Sequence, residues 1–265
     1  MTRVRVPPFD WWRTVFFLIP AIAVYTIVLG TVSLVSAIYD RRGYFAHGCA
    51  RLWSWLILAT TGVAVHVEGL YELSPGETYI FVSNHQSIYD IPILFCSLPF
   101  QLRIIAKKSL AKFPFLGWHL SRTGHLLVDR RHPNPTGILK RWSNLVAQGL
   151  SLIIFPEGTR SMDGRVRRFK AGSFLLAMQV GLPIVPISIA HSRHVMQKGR
   201  LRTCPGHVDL VVHPPIQTAM DREPTIADAR RLAEGVRQIV RSVAEARQGQ
   251  APRAAQDVAQ AAGDD

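Results

Sequence analysis

The chain has few cysteines, and none lies in a recognisable arrangement. Its 265 residues contain three, Cys49, Cys96 and Cys204, which are widely spaced and odd in number. This spacing excludes a disulfide framework and a zinc knuckle, and it favours a reducing compartment. A Gly-x-Ser-x-Gly elbow is also missing, which argues against a serine hydrolase. Since no dense set of His, Cys and carboxylate residues has metal-ligand spacing, we expect no metal and no cofactor.

Positive charge is unevenly distributed along the chain. The formal net charge is +13, yet residues 52–101 contain no Lys or Arg. Residues 102–202 contain eighteen Lys and Arg against three Asp and Glu. A field of this sign suits phosphate, anionic lipid or an acidic protein. Because no nucleic-acid-binding motif accompanies the charge, we expect no nucleic acid among the partners.

A long apolar segment near the N-terminus predicts association with a membrane. Residues 14–39 form a run of 26 residues without a charge. As a helix the run would be ~39 Å long, against ~30 Å for the hydrocarbon core of a bilayer. The apolar region of a signal peptide spans only ~7–15 residues, so we expect an uncleaved membrane segment.

The second apolar run, residues 52–65, has two interpretations. As a helix its 14 residues would reach only ~21 Å, too short to cross a bilayer alone. It is either a core helix followed by a strand, or the return arm of a helical hairpin with Trp53 and Trp55 at the interface. Arginines flank the first run on both sides, so the positive-inside rule gives no orientation.

Beyond residue 63 the pattern predicts an α/β fold with a largely parallel sheet covered by helices. Short apolar runs rich in β-branched residues predict strands over 79–83, 102–106, 125–129, 152–155, 184–190 and 208–212. Helices are expected from Asn134-Pro135 to about Gly149, over 170–180 before Gly181, and over 225–247. We therefore divide the chain into a membrane-associated helical segment (1–62, a possible hairpin), an α/β domain (63–247) and a disordered tail (248–265).

His85 and Asp90 follow the first predicted strand and form a candidate base with its orienting carboxylate. On one straight helix, five residues would separate them by about 140° around the axis. They can meet only if His85 lies in a loop and Asp90 lies in the first turn of the next helix. Asp90 would then fix the tautomer and leave the other ring nitrogen free as a base. The alternative is a surface histidine, a structural aspartate and Asn84 as a helix cap.

A second candidate motif, Glu157-Gly158-Thr159-Arg160, follows the strand predicted over residues 152–155. Ligands of open α/β sheets bind at the carboxyl ends of strands, where both motifs would lie. Arg160 offers a planar fork suited to phosphate oxygens, and Gly158 permits a tight turn. The alternative is a solvated turn with a surface ion pair. A third stretch places Lys107 and Lys108 before a compact Phe-Pro-Phe-Leu-Gly turn.

Taken together, these motifs resemble the glycerophospholipid acyltransferase family, specifically the 1-acyl-sn-glycerol-3-phosphate acyltransferases. The matching elements occur in family order and cover roughly residues 63–215. They are Asn84-His85-Gln86-Ser87-Ile88-Tyr89-Asp90, Lys107-Lys108-Ser109 with Pro114-Phe115-Leu116-Gly117, Thr123-Gly124 with Asp129-Arg130, Phe155–Ser161, Phe169-Lys170-Ala171-Gly172, and Val185-Pro186-Ile187-Ser188.

The resemblance implies transfer of an acyl chain to lysophosphatidic acid without an acyl-enzyme. His85 would take the proton from the sn-2 hydroxyl as it attacks an acyl thioester, while Asp90 stabilises the imidazolium. Arg160 and Lys107 would bind the acceptor phosphate, and Glu157 would position Arg160, in the turn that also contains Gly158 and Thr159. The expected partners are an acyl-ACP or acyl-CoA donor and membrane lipids, at the cytoplasmic face of the inner membrane.

Two other functions stay open at the level of sequence. A related acyltransferase could use lyso-ornithine lipid or glycerol 3-phosphate as its acceptor. A non-catalytic module that binds anionic lipid would also fit the charge and hydrophobicity, although it gives no reason for His85 and Asp90 to accompany the phosphate-type turn. The sequence does not determine the acyl-chain length, the donor or the oligomeric state.

Overall fold

The computed structural model describes residues 8–40, 42–129 and 135–250. Sequence-based expectations that fall outside these ranges include the helix cap at Asn134, Arg130 of the element Thr123-Gly124 with Asp129-Arg130, and residues 251–265 of the expected tail. The helices are α1 Phe9–Arg13, α2 Ile19–Ser36, α3 Tyr44–Thr61, α4 Asp90–Ser97, α5 Leu116–Arg122, α6 Pro135–Val146, α7 Ala171–Val180, α8 Ser192–Val195 and α9 Ile226–Gln248.

Seven strands form one mixed sheet in the order β1-β7-β6-β2-β5-β3-β4. Their bounds are β1 Val63–Glu68, β2 Ile80–Ser83, β3 Leu102–Lys107, β4 Leu126–Val128, β5 Ser151–Ile154, β6 Ile184–Ala190 and β7 Gly206–Val212. Only the β6–β7 pair is antiparallel among the pairs of this sheet. The predicted α/β class with a largely parallel sheet is confirmed.

The central strands are buried on both faces, which explains their unbroken apolar sequences. All residues of β2, β5 and β6 are buried. Helices cover the two faces of such a sheet, so no side chain of these strands faces water. One core cluster lies against α3 and α4, and the other lies against α6, α7 and α9. This rigid centre determines where the loops after β2 and β5 begin.

The N-terminal segment is a continuous helix from Phe9 to Ser36, with a π-helical stretch over Thr14–Leu18 that joins α1 to α2. It is the one helix among the described residues that is long and apolar enough to cross a membrane, with a mean hydropathy of 2.4. Only 6% of its most apolar window is buried, unlike the core helix of a soluble protein. Length, composition and exposure together indicate association with a membrane.

The second apolar run is divided at Gly62 between the end of α3 and strand β1. The run is thus part of a helix followed by a strand, which is one of the two interpretations. The helix α3 starts at Tyr44, eight residues before the apolar run, and it packs antiparallel to α2. The Trp53 Nε1 donates to the Thr26 Oγ1 at 2.9 Å, and the hydroxyls of Tyr25 and Thr60 lie 3.0 Å apart. The two helices therefore form a hairpin, while the domain boundary at residue 62 stays a prediction.

Candidate active site

The loops after β2 and β5 meet at one edge of the sheet. These strands are parallel neighbours, with Ile80 opposite Leu152, so their carboxyl ends point the same way. The loop after β2 contains His85, and the loop after β5 contains the turn with Arg160. Both motifs therefore lie at the carboxyl-terminal edge of the parallel strands, as the sequence predicted.

His85 and Asp90 are joined by a short hydrogen bond. His85 lies in the loop, Asp90 is the first residue of α4, and the His85 Nδ1 lies 2.8 Å from the Asp90 Oδ2. The same carboxylate oxygen accepts from the backbone amides of Gln86 at 2.7 Å and Ser87 at 3.0 Å. Because Asp90 is fully buried, these three donors are what stabilises its charge. The geometry expected from the sequence is present.

The position of the His85 ring is restricted further by an aromatic neighbour. Phe155 stacks on it with the ring centroids 4.1 Å apart and an interplanar angle of 24°. The imidazole keeps 16% of its surface exposed, whereas the Asp90 side chain has none. Since Nδ1 is bonded to the carboxylate, Nε2 is the nitrogen left to act on a ligand. Phe155 belongs to the motif after β5, but no pattern in the sequence predicts this contact with His85.

Glu157 connects the two loops. Its Oε1 accepts from the His85 backbone amide at 2.8 Å, and its Oε2 accepts from the Arg167 backbone amide at 3.3 Å. The Ser161 amide donates back to the His85 carbonyl at 2.8 Å. Burial raises the pKa of the Glu157 carboxyl to about 7, against the lowering effect of the two amide hydrogen bonds. The negative charge of this group therefore depends on pH near neutrality.

The prediction that Glu157 holds Arg160 in place is wrong, because the two side chains are not bonded to each other. The Arg160 side chain has no hydrogen bond or ion pair with any described residue, and both Glu157 oxygens bind backbone amides instead. The physical reason is the φ of +74° at Gly158, which reverses the chain between the two side chains. Glu157 thus points back to the His85 loop, and Arg160 is left half-buried and available to an anion.

Lys107 is the last residue of β3, which pairs in parallel with β5, so it lies at the same edge of the sheet as Arg160. Its side chain is exposed. Two further residues at this edge make contacts that the sequence did not predict: Asn84, which in the sequence is only a motif residue and a possible helix cap, and Lys198, which lies in no motif. Asn84 extends the sheet, because its side chain exchanges two 2.8 Å hydrogen bonds with the Ile189 backbone. Lys198 binds the Thr159 hydroxyl, with the Nζ and Oγ1 2.8 Å apart.

An apolar cavity of about 160 Å³ lies against the loop that follows β2. It lies between the helical hairpin, α4, β3 and α5, and its walls include Gly30, Ala50, Ile88, Leu116 and Leu120. Ile88 belongs to the loop that contains His85, so this loop contributes one wall of the cavity. In contrast, the described residues contain no group of three His, Cys or acidic side chains placed to hold a metal ion.

The fold and the site are similar to those of a family of acyltransferases. A sequence model described as Acyltransferase matches residues 64–190, which include both loops. The chain is 36% identical to a chloroplastic 1-acyl-sn-glycerol-3-phosphate acyltransferase of Brassica napus over 68% of its own length and 53% of that protein. It is 31% identical to an enzyme of the same name from Chlamydomonas reinhardtii over 91% of its own length and 70% of that protein.

A solved structure has the same fold. The crystal structure of the 1-acyl-sn-glycerophosphate acyltransferase PlsC of Thermotoga maritima superimposes with a TM-score of 0.76 at 27% identity, covering 90% of this chain and 96% of that one. The chain therefore belongs to the family of 1-acyl-sn-glycerol-3-phosphate acyltransferases. It spans only about half the length of the Brassica relative.

Proposed function

We propose that this protein transfers an acyl chain from an acyl thioester to the sn-2 hydroxyl of lysophosphatidic acid and so forms phosphatidic acid. The observation that carries the proposal is the His85–Asp90 pair, with 2.8 Å between Nδ1 and Oδ2, at the same sheet edge as Arg160, whose side chain has no partner among the described residues. The names of the related proteins from Brassica napus and Thermotoga maritima support the same reaction.

In the proposed reaction His85 acts as a general base. Its Nε2 takes the proton of the acceptor hydroxyl while the hydroxyl oxygen attacks the thioester carbonyl. The tetrahedral intermediate then breaks the carbon–sulfur bond, and the imidazolium returns the proton to the leaving thiolate. The buried Asp90 carboxylate stabilises the imidazolium and, through Nδ1, fixes the ring tautomer. No acyl-enzyme forms, and the protein is unchanged after the cycle.

The acceptor phosphate would bind at the turn after β5. The Arg160 guanidinium has no partner in the part of the chain that the structure describes, Gly158 allows the turn to reverse, and Lys107 adds an exposed cation at the end of β3. A guanidinium can donate two parallel hydrogen bonds to phosphate oxygens. Glu157 acts indirectly in this scheme, because it holds the His85 backbone amide and does not contact Arg160.

The acyl chain of the donor would enter the apolar cavity beside Ile88. Ile88, from the loop that contains His85, lines this cavity, which extends between α4 and the helical hairpin. A thioester carbonyl held at the Ile88 end would be on the side of the cavity that faces this loop. Burying a methylene group in such an environment is worth about 0.8 kcal/mol. The donor itself is an acyl-ACP or an acyl-CoA, and the basic residues of the stretch 102–202 suit either anion.

The hairpin of α2 and α3 would hold the catalytic domain on the cytoplasmic face of the inner membrane, where the lysolipid is embedded. This placement predicts that the protein sediments with membranes after a high-salt wash and is released only by detergent. Recovery in the soluble fraction after the salt wash would contradict it.

The test of the reaction is transfer from a labelled palmitoyl thioester to lysophosphatidate by the detergent-solubilised protein. Arg160→Ala should raise the KM for lysophosphatidate by about tenfold or more, because it removes a charge-assisted contact to the phosphate. Activity on lyso-ornithine lipid or glycerol 3-phosphate, but not on lysophosphatidate, would show that the acceptor is one of these compounds and not lysophosphatidate. Lipid binding without any turnover would favour the non-catalytic module.

A further inference from the structure

Lys198 reaches the phosphate-type turn from a segment that belongs to none of the motifs. Its Nζ donates to the Thr159 Oγ1 at 2.8 Å and lies 3.5 Å from the Arg160 carbonyl oxygen. Both partners are neutral oxygens. Across residues 8–40, 42–129 and 135–250, no carboxylate lies within ion-pair distance of this ammonium group. Its charge therefore has no protein counterion within that distance.

The segment that carries Lys198 is braced at both ends. On one side, the Met196 carbonyl accepts from the Ser87 hydroxyl at 2.8 Å, which ties the segment to the loop of His85. On the other side, the Thr203 amide donates to the Thr14 Oγ1 at 2.9 Å, at the foot of the N-terminal helix. Arg202 adds a 3.0 Å ion pair with Asp10. Because its segment is fixed, the Lys198 ammonium is preorganised beside the turn.

A third cation lies against the same turn. The Lys170 ammonium group contacts Gly158: a Cβ atom added to this glycine would lie only 2.9 Å from the Lys170 Nζ. The ammonium groups of Lys170 and Lys198 thus lie against Gly158 and Thr159, in the turn that also contains Arg160. An anion bound at this turn would offset their positive charge. If Lys198 only held the Thr159 hydroxyl in place, a neutral hydrogen-bond donor would serve as well as a charged one.

We propose that Lys198 is a phosphate-binding residue of the acceptor site, where it forms a clamp with Arg160 around the phosphate of lysophosphatidate and so selects phosphorylated acceptors over neutral ones. The inference rests on the proposed function. Thr159 is a positioning residue in this arrangement, because its hydroxyl accepts from the ammonium and directs the remaining N–H donors toward the ligand.

The test compares Lys198→Met with Arg200→Met in the detergent-solubilised full chain. Arg200 is exposed on the same segment, so its substitution removes the same charge without touching the turn. We expect Lys198→Met to raise the KM for lysophosphatidate about tenfold, with little change in kcat or in the KM of the thioester. Arg200→Met should leave all three within about twofold, and Lys198→Arg should restore part of the affinity.

Equilibrium binding separates this inference from the reaction itself. Wild type should bind lysophosphatidate more tightly than monoacylglycerol, and Lys198→Met should lose about tenfold of that preference whether or not turnover is measured. An unchanged preference in Lys198→Met would overturn the inference while leaving the reaction intact. Equal losses in Lys198→Met and Arg200→Met would also overturn it, because they would show a general effect of charge. An inactive wild type that keeps the Lys198-dependent preference would refute the reaction but not the clamp.

Discussion

The side chain of Glu157 accepts a 2.8 Å hydrogen bond from the backbone amide of His85, across two neighbouring strands and 72 residues of sequence. This contact places the candidate base relative to the turn with Arg160. Its strength depends on the ionisation of Glu157, since a carboxylate accepts an amide hydrogen bond better than a neutral acid does. The two motifs therefore form one unit whose geometry depends on a buried carboxyl group.

The ionisation of Glu157 should make the free energy of unfolding depend on pH. Its pKa is raised from 4.5 to about 7 by burial, so between these values the folded protein holds a proton that the unfolded chain has released. The stability supplied by this group is fully present below about pH 4.5 and is lost as the pH rises through about 7. The loss amounts to about 3 kcal/mol. Glu157→Gln should remove this part of the pH dependence.

Guanidinium unfolding in detergent at pH 5 and pH 8 measures the effect. The free energy of unfolding of wild type should fall more between these values than that of Glu157→Gln. Glu72→Gln, at an exposed position, is the matched control and should keep the wild-type dependence. Identical pH dependence in wild type and Glu157→Gln would contradict the raised pKa.

Asp90→Asn should leave the protein folded but almost inactive. The asparagine oxygen can still accept a hydrogen bond, yet it carries no charge to stabilise the imidazolium. We expect kcat to fall by about 10²–10⁴-fold with a small change in the KM for lysophosphatidate. Steady-state kinetics, with circular dichroism as the check of folding, measure this. A variant with near wild-type kcat would show that Asp90 is only structural.

Ala50→Phe should shorten the acyl chains that the enzyme accepts. Ala50 lines the cavity from α3, so a phenyl ring there would fill part of the space proposed for the chain. We expect preference to shift toward chains roughly two to four carbons shorter, because a packed interior leaves no other room. Competition among lauroyl to stearoyl thioesters measures the shift. Ala59 is exposed on the same helix, so Ala59→Phe is the control and should not change the chain-length preference. If Ala50→Phe kept the wild-type preference, the acyl chain would have to bind outside this cavity.

Much of the fold could be predicted because burial leaves a simple pattern in the sequence. Strand β6 has the predicted bounds of 184–190, and α9 begins after its capping Thr225, since an unbroken apolar run and a capping box are local signals. The start of α3 at Tyr44 was not predicted, because His47 and Arg51 interrupt its apolar pattern. The antiparallel direction of β7 depends on the path of the connecting chain, which no local pattern specifies.

The site divides in the same way. The His85–Asp90 pair was predictable, because a strand, a loop and a helix start within seven residues allow only one way for the two side chains to meet. The partners of Glu157 were not, since it binds a backbone amide from a distant part of the chain. Lys198 gave no signal either, because it lies in no motif and reaches Thr159 only through the tertiary fold.

The central claim is that His85 is the base of acyl transfer to lysophosphatidate. The most direct test measures phosphatidate formed from a labelled palmitoyl thioester by wild type and by His85→Ala in parallel. We predict product with wild type and a loss of kcat of at least about 10²-fold in the folded variant. Equal product from both proteins would contradict the role of His85, and no product from wild type with either acyl-ACP or acyl-CoA would contradict the reaction.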